Sequence, residues 1–260
     1  MRIFATKETF APALRLAAER LFSAYDGRRE GWRLPPEAGL TGIHFGSRAG
    51  VVGLEADGLR CCAKLFYDDR AFVKLRNRLG FSKARRACGR SRELERRNVP
   101  APRPLGYAVD GRGGLAALFS EWVEDAERVD ERVRRTGATP AFASALGRFV
   151  RAMHEAGTTH SDLSLRNLLV RNETDFLLLD WEDCRFFAGP APETRRMEDL
   201  HHLHERALAL APEAARCAFL RAYSHEDEGT TKRRCERLAK MLRDRPSKYS
   251  AGTRASDRNE

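Results

Sequence analysis

The chemistry-bearing residues of this chain stand at fixed separations in His160-Ser161-Asp162-Leu163-Ser164-Leu165-Arg166-Asn167, the apolar Leu168-Leu169-Val170, and Asp180 thirteen residues beyond Asn167. Asp162 can orient an attacking hydroxyl and accept its proton. The Asn167 amide carbonyl and the Asp180 carboxylate are hard oxygen donors suited to Mg2+. Taken together they fit one task, moving the terminal phosphoryl group of a nucleotide onto a hydroxyl, with Asp162 as base or orienter and Asn167 and Asp180 as metal ligands. A helix-capping role would explain a lone Asp162. It does not explain the ordered set.

The spacings match the catalytic loop and metal-binding Asp of protein kinases, so the chain resembles the kinase superfamily. That resemblance implies ATP and Mg2+ as cofactors and an α+β, bilobal protein-kinase-like fold. An N-lobe over residues 1–120 would carry a small antiparallel sheet, a mainly helical C-lobe would span 121–245, and residues 246–260 read as a disordered tail. In the kinase pattern a strand lysine contacts the nucleotide phosphates, and Lys64 stands in that place; an ordinary surface lysine is the plainer account. Ahead of it, Gly42 to Gly50 is the candidate phosphate-covering segment. Its small residues Gly46, Ser47 and Gly50 would let backbone N–H groups approach phosphate, although the glycines lack the Gly-x-Gly-x-x-Gly spacing and a plain turn fits as well. His160 reads as a loop-supporting hydrogen-bonding residue. Ser161 stands where regulated protein kinases carry an Arg that pairs with a phosphorylated loop, and it cannot make that pair. Trp181-Glu182 follows Asp180 where protein kinases have Phe-Gly, and Ala191-Pro192-Glu193 ends a segment only thirteen residues after Asp180. The missing Arg and the short segment favour a small-molecule or glycolipid acceptor over a regulated protein-kinase role.

The surrounding pattern supplies elements to hold these residues. Leu14, Ala17, Ala18, Leu21 and Phe22 recur at helical spacing within Phe10–Tyr25, which predicts an amphipathic helix docked on a core or lying on a membrane. Ile43 to Leu65 reads as strands with a tight turn at Asp57-Gly58. Alternation places Leu59, Cys61, Ala63 and Leu65 on one face and Lys64 on the other. Basic helices over 72–79 and 83–97 end at Pro100-Ala101-Pro102-Arg103-Pro104, and strands follow near 105–109 and 115–120. The pattern turns helical from Trp122, with a helix over 142–156 stopped by Gly157, a hairpin of 168–170 with 176–179, and helices over 198–210, 212–223 and 232–242.

The 260 residues hold 47 Lys and Arg against 37 Asp and Glu, a net charge of +10. Arg60 to Arg103 alone carries 14 basic and 4 acidic residues, so 14 − 4 = +10 and the remainder is near neutral. Such a band suits an anionic partner (nucleotide, nucleic acid, or an acidic membrane or glycolipid surface) or is a solvated helix face. Six cysteines at no zinc-like spacing read as reduced thiols of a cytoplasmic protein, and no apolar run is long enough to span a membrane.

Several stretches are similar to the bacterial lipopolysaccharide core kinases, the group that includes 3-deoxy-D-manno-octulosonic acid kinase and heptose kinases. They are Ala63-Lys64-Leu65-Phe66, the basic Ser82-Lys83-Ala84-Arg85-Arg86-Ala87 with the Pro-rich exit from Val99 to Leu105, Met153-His154-Glu155-Ala156-Gly157, and Asn167 to Val170 with Leu179-Asp180-Trp181-Glu182. The resemblance implies ATP-dependent phosphorylation of an inner-core sugar hydroxyl at the cytoplasmic face of the inner membrane. The acceptor would be an anionic glycolipid met by peripheral contact with the membrane, and the basic band would face its carboxylates and phosphates. Glu93 and Glu95 are the nearest acidic candidates to pair with Lys64. Other readings are a kinase of another small alcohol, which the cationic band opposes if that alcohol is itself cationic, a protein kinase, and a catalytically dead kinase-like binding module, which would not need Lys64, Asp162, Asn167 and Asp180 together. No nucleic-acid partner is expected, because the band interleaves only Phe72 and Phe81 as aromatics.

Overall fold

The computed structural model describes residues 1–25, 40–45, 49–68, 70–206 and 211–224. The chain divides into two compact units, Met1–Glu124 and Asp125–Glu260.

In the first unit the elements run β1 (Arg2–Ala5), α1 (Ala11–Ala24), β2 (Leu40–Phe45), β3 (Ala49–Ala56), β4 (Leu59–Tyr67), α2 (Ala71–Arg78), α3 (Lys83–Arg96), β5 (Pro104–Val109) and β6 (Leu115–Glu121). The strands form one sheet in the order β1-β5-β6-β4-β3-β2, every neighbouring pair antiparallel. Its central hairpin follows from two residues. Asp57 at φ 52° and Gly58 at φ 70° both take the left-handed conformation that a two-residue turn between twisted strands requires. The turn sets the register Ala56↔Leu59 through Ala49↔Phe66, and with it the alternation of β4, in which Cys61, Ala63 and Leu65 are buried and Lys64 is half-buried on the opposite face.

Helix α1 docks on this sheet. Leu14, Ala17, Ala18 and Leu21 are fully buried in one cluster with Val52, Leu54, Cys61, Ala63, Leu65 and Phe119. Each buried Leu contributes about 1.5–3 kcal/mol relative to exposure, which fixes the core-docked of the two expected roles. Strand β1 has only four residues and no readable alternation, and it pairs with β5 from Arg2↔Val109 to Ala5↔Gly106. That pairing needs Gly106, because a Cβ there would lie 2.4 Å from the Phe4 carbonyl oxygen. Helix α3 starts at Ser82, whose hydroxyl accepts from the Arg85 N–H at 3.1 Å, and it lies against β5 and β6 through Ala84, Ala87, Cys88, Ser91 and Leu94.

The second unit runs β7 (Glu127–Arg128), α4 (Val129–Thr136), α5 (Pro140–Glu155), β8 (Thr158–Thr159), β9 (Leu168–Arg171), β10 (Asp175–Leu178), β11 (Arg185–Phe186), α6 (Glu193–Arg206) and α7 (Glu213–Ser224). Strands order as β10-β9-β7 and β11-β8 in two small sheets. Thr139 caps α5 by accepting from the Phe142 N–H at 3.2 Å, Pro140 takes the first turn, and Gly157 at φ 71° ends the segment. Helices α5 and α7 cross at Gly147, where a Cβ would come within 2.4 Å of the Phe219 carbonyl oxygen.

Two boundaries differ from expectation. The helical pattern begins at Val129, not Trp122, because Glu127 and Arg128 pair with Val170 and Leu169 of β9. Helix α6 begins at Glu193, five residues before Glu198. Helix 232–242 and tail 246–260 lie outside the described residues, as do Gly46 and Ser47. An antiparallel sheet with three helices followed by a mainly helical unit is the α+β, protein-kinase-like class that the sequence implies. No helix among the described residues is long and apolar enough to cross a membrane.

Candidate active site

The site grows from the C-terminal end of α5. After Gly157 the chain passes through β8 and reaches His160-Ser161-Asp162, with Ser161 held at φ 60°. A left-handed Ser is uncommon and must be secured by its surroundings. Asp199 of α6 secures it. Its carboxylate, 1% exposed, accepts from the His160 N–H at 2.7 Å and the Ser161 N–H at 2.9 Å. The Asp199 Oδ2 also lies 3.1 Å from His154 Nε2, and His154 Nδ1 lies 2.8 Å from the Tyr223 hydroxyl. A carboxylate only accepts, so His154 donates through Nε2 and is left to take the Tyr223 O–H at Nδ1. Half-buried Tyr223 and buried His154 and Asp199 thus form a chain of bonds ending on the backbone of the loop that carries Asp162.

From Asp162 the loop closes on itself. The Asn167 amide nitrogen donates to the Asp162 carbonyl at 2.9 Å and approaches its Oδ2 at 3.4 Å. Leu163 and Leu168 are fully buried and anchor the loop from beneath. The second strand of the hairpin is tied to the same loop. The Leu179 N–H donates to the Asn167 carbonyl at 2.8 Å, and His160 Nε2 donates to the Leu179 carbonyl at 2.8 Å. His160 therefore supports the loop, as its sequence context suggests. The next residue, Asp180, is exposed in the left-handed conformation at φ 58°, ψ 38°, and a short turn over Trp181–Asp183 buries Trp181 behind it.

Asp162 and Asn167 are thus bonded to each other, and Asp180 follows the one residue that is bonded to both ends of their loop. The donor set fits magnesium. Because the Asn167 nitrogen is turned onto Asp162, its carbonyl oxygen points away from that bond, and the Asp180 carboxylate is exposed. Among the described residues no group of three His, Cys, Asp or Glu side chains encloses a metal. Two oxygen donors suit a cation that takes its remaining ligands from phosphate and water.

In the first unit Lys64 is paired within the sheet to Val51 and Leu118, and its ammonium stands 5.6 Å from the Phe66 ring centroid. Gly50 is buried in β3 opposite Phe45 and Leu65. The described part of the candidate phosphate-covering segment therefore lies in strands β2 and β3, paired up to Phe45↔Gly50, with a register shift between Gly42 and His44. Glu93 turns to its own helix, bonding Arg96 and Arg97 at 2.6 Å each, and the Arg96 bond, then that of Arg97, holds its carboxyl down at about 2. Glu95 is exposed.

Asp199 is the residue that sequence reasoning missed. A signal was available, since it is an acid on the helix face that carries Leu200 and Leu203, and carboxylates on buried faces are rare unless bonded.

The two units and the bonded loops define a protein-kinase-like protein. Within that class the chain belongs to the lipopolysaccharide kinase (Kdo/WaaP) family, whose model matches residues 68–240. The matched region contains Asp162, Asn167, Asp180 and Asp199, and Lys64 lies just before it. Similar proteins include the 3-deoxy-D-manno-octulosonic acid kinase of Mannheimia succiniciproducens, 29% identical over 122 residues, 44% of this chain and 49% of that protein. The protein of the same name from Xanthomonas campestris is 32% identical over 121 residues, 46% of this chain and 47% of its own length. That of Actinobacillus succinogenes is 27% identical over 179 residues, 64% and 72% respectively. The chain spans about half the length of the first two.

Proposed function

We propose that the protein is an ATP- and magnesium-dependent kinase that phosphorylates a sugar hydroxyl of the lipopolysaccharide inner core, on 3-deoxy-D-manno-octulosonic acid or heptose. It would work at the cytoplasmic face of the inner membrane, in peripheral contact with it. The observation that carries this reading is the bond from the Asn167 amide to the Asp162 carbonyl, with Leu179 bonded to both Asn167 and His160. It ties a carboxylate, an amide and the residue preceding a second carboxylate into one loop pair. In this reading Asp162 orients the sugar hydroxyl and accepts its proton. The Asn167 side-chain Oδ1 and the Asp180 carboxylate would hold Mg2+, which would neutralise charge on the nucleotide phosphates. In the kinase pattern Lys64 of the first unit would contact nucleotide phosphates, with Gly46, Ser47 and Gly50 as the residues proposed to approach them. The family and the kinase names of its relatives support the sugar acceptor.

The test is transfer of labelled phosphate from ATP to purified deep-core lipopolysaccharide, with and without magnesium, for wild type and Asp162→Ala. The expected result is magnesium-dependent label on the sugar, reduced by roughly 10²- to 10⁴-fold in the variant while nucleotide binding survives. A variant that folds but loses ATP binding would remove the role given to Asp162. Wild type that binds ATP and labels no core sugar would overturn the acceptor.

A further inference from the structure

Seven large apolar side chains are exposed among the described residues, and four of them, Phe72 at 73%, Leu75 at 55%, Leu79 at 63% and Phe81 at 67%, fall within ten residues. Their placement is built into the fold. Positions 72, 75 and 79 share one face of α2 at i, i+3 and i+7. The opposite face is pinned to the unit, since Val73 and Asn77 are buried, the Asn77 amide donates to the Gly113 carbonyl at 2.8 Å, and Arg2 donates to the Asn77 carbonyl at 2.9 Å. At the end of α2, Gly80 at φ 90° reverses the chain and the Phe81 N–H donates to the Arg76 carbonyl at 3.0 Å, which sets Phe81 beside the ridge. A ridge held from behind in this way cannot turn its apolar side inward.

The charge around it is predominantly positive, the nearby acid Asp68 being bonded to Arg70 at 2.6 Å. Residues 70 to 92 hold nine basic side chains (Arg70, Lys74, Arg76, Arg78, Lys83, Arg85, Arg86, Arg90 and Arg92) and no Asp or Glu. Arg78, Lys83, Arg85, Arg86 and Arg92 are exposed. An apolar crest within a predominantly cationic surround complements an anionic bilayer, where the side chains enter the acyl boundary and the guanidinium and ammonium groups meet lipid phosphates. A nucleic acid would use the cations but leave Leu75 and Leu79 in water.

We propose that the ridge Phe72–Leu75–Leu79–Phe81 on α2 and the cationic side chains around it form the surface by which this protein docks on an anionic lipid bilayer. The inference deepens the reading above, because a glycolipid acceptor is presented at a bilayer. Its test needs neither nucleotide nor sugar. The full chain is sedimented with vesicles of phosphatidylethanolamine and phosphatidylglycerol, and with vesicles of phosphatidylcholine. Binding is expected to the first only and to weaken with salt. Replacing Phe72, Leu75 and Leu79 together by Ala, all at exposed positions, should lower partitioning by about tenfold or more. A Phe81→Trp chain should gain emission that bromolipids quench.

Unchanged partitioning of the triple variant would overturn the proposal. Equal binding to phosphatidylcholine would do the same, as would added emission in the Phe81→Trp chain that bromolipids leave untouched. Self-association of the wild type that the triple variant abolishes would assign the ridge to a second copy instead. Tight binding to duplex RNA with no vesicle binding would assign the band to nucleic acid. Phosphoryl transfer to a delipidated core sugar is measured alongside. If transfer persists while vesicle binding fails, only the docking surface falls. Vesicle binding without transfer removes the kinase reading and leaves the surface in place.

Discussion

Replacing Asp199 should unseat the loop that carries Asp162, although Asp199 lies 37 residues away in sequence. The carboxylate is 1% exposed and accepts three bonds, from the His160 N–H at 2.7 Å, the Ser161 N–H at 2.9 Å and His154 Nε2 at 3.1 Å. In Asp199→Ala two buried backbone N–H groups lose their acceptor. Each orphaned donor costs about 1–3 kcal/mol, so the second unit should lose about 2–6 kcal/mol of stability. Asp199→Asn keeps the shape but turns an NH2 toward one of these donors, so it should fall between wild type and Ala. The assay is urea unfolding followed by Trp181 emission, because Trp181 is buried in the same unit. Without the two bonds Ser161 has less to hold it at φ 60°, so phosphoryl transfer should fall in both variants even where they remain folded. Stability of Asp199→Ala within about 0.5 kcal/mol of wild type would refute the reasoning, since surface-like substitutions stay in that range.

Two further outcomes follow from shifted titrations. Glu93 ionises near 2 because Arg96 and then Arg97 bond its carboxylate, so the stabilisation is fully present above its ordinary value of 4.5 and is lost as pH falls toward 2. The stability difference between wild type and Glu93→Gln should be constant near pH 6 and shrink from pH 4.5 to 2; a difference independent of pH in acid would contradict the pairing. Burial pushes the Cys61 thiol up to about 12 and Cys62 to about 11, whereas Cys217 is exposed. At about pH 8 iodoacetamide should modify Cys217 in the native protein and reach Cys61 and Cys62 only after denaturation, as read by peptide mass mapping. Native alkylation of Cys62 at the rate of Cys217 would count against its placement in β4.

What the sequence determined by itself was local. Asp57-Gly58 specifies a turn because its two residues tolerate positive φ, and that turn sets the register of β3 and β4 and the face of Lys64. Helices α1 and α5 were legible from apolar periodicity, and the end of α5 also from Gly157, whereas its start at Thr139 and Pro140 was shown by the structure. A short loop and a hairpin lie between Asp162, Asn167 and Asp180, so local sequence alone brings Asn167 onto Asp162 and Leu179, beside Asp180, onto Asn167. Tertiary structure decided what depends on partners far along the chain. Strand β1 exists because β5, beyond three further strands and three helices, is there to pair with it, and Glu127-Arg128 is a strand because β9 lies beside it. Asp199 is committed to backbone donors 38 and 39 residues away, a relation no motif encodes. The same holds for α2. Its pattern reads only as a basic helix, and which of its faces meets solvent was settled by Asn77 and Val73 packing inward, which leaves Phe72, Leu75 and Leu79 outside.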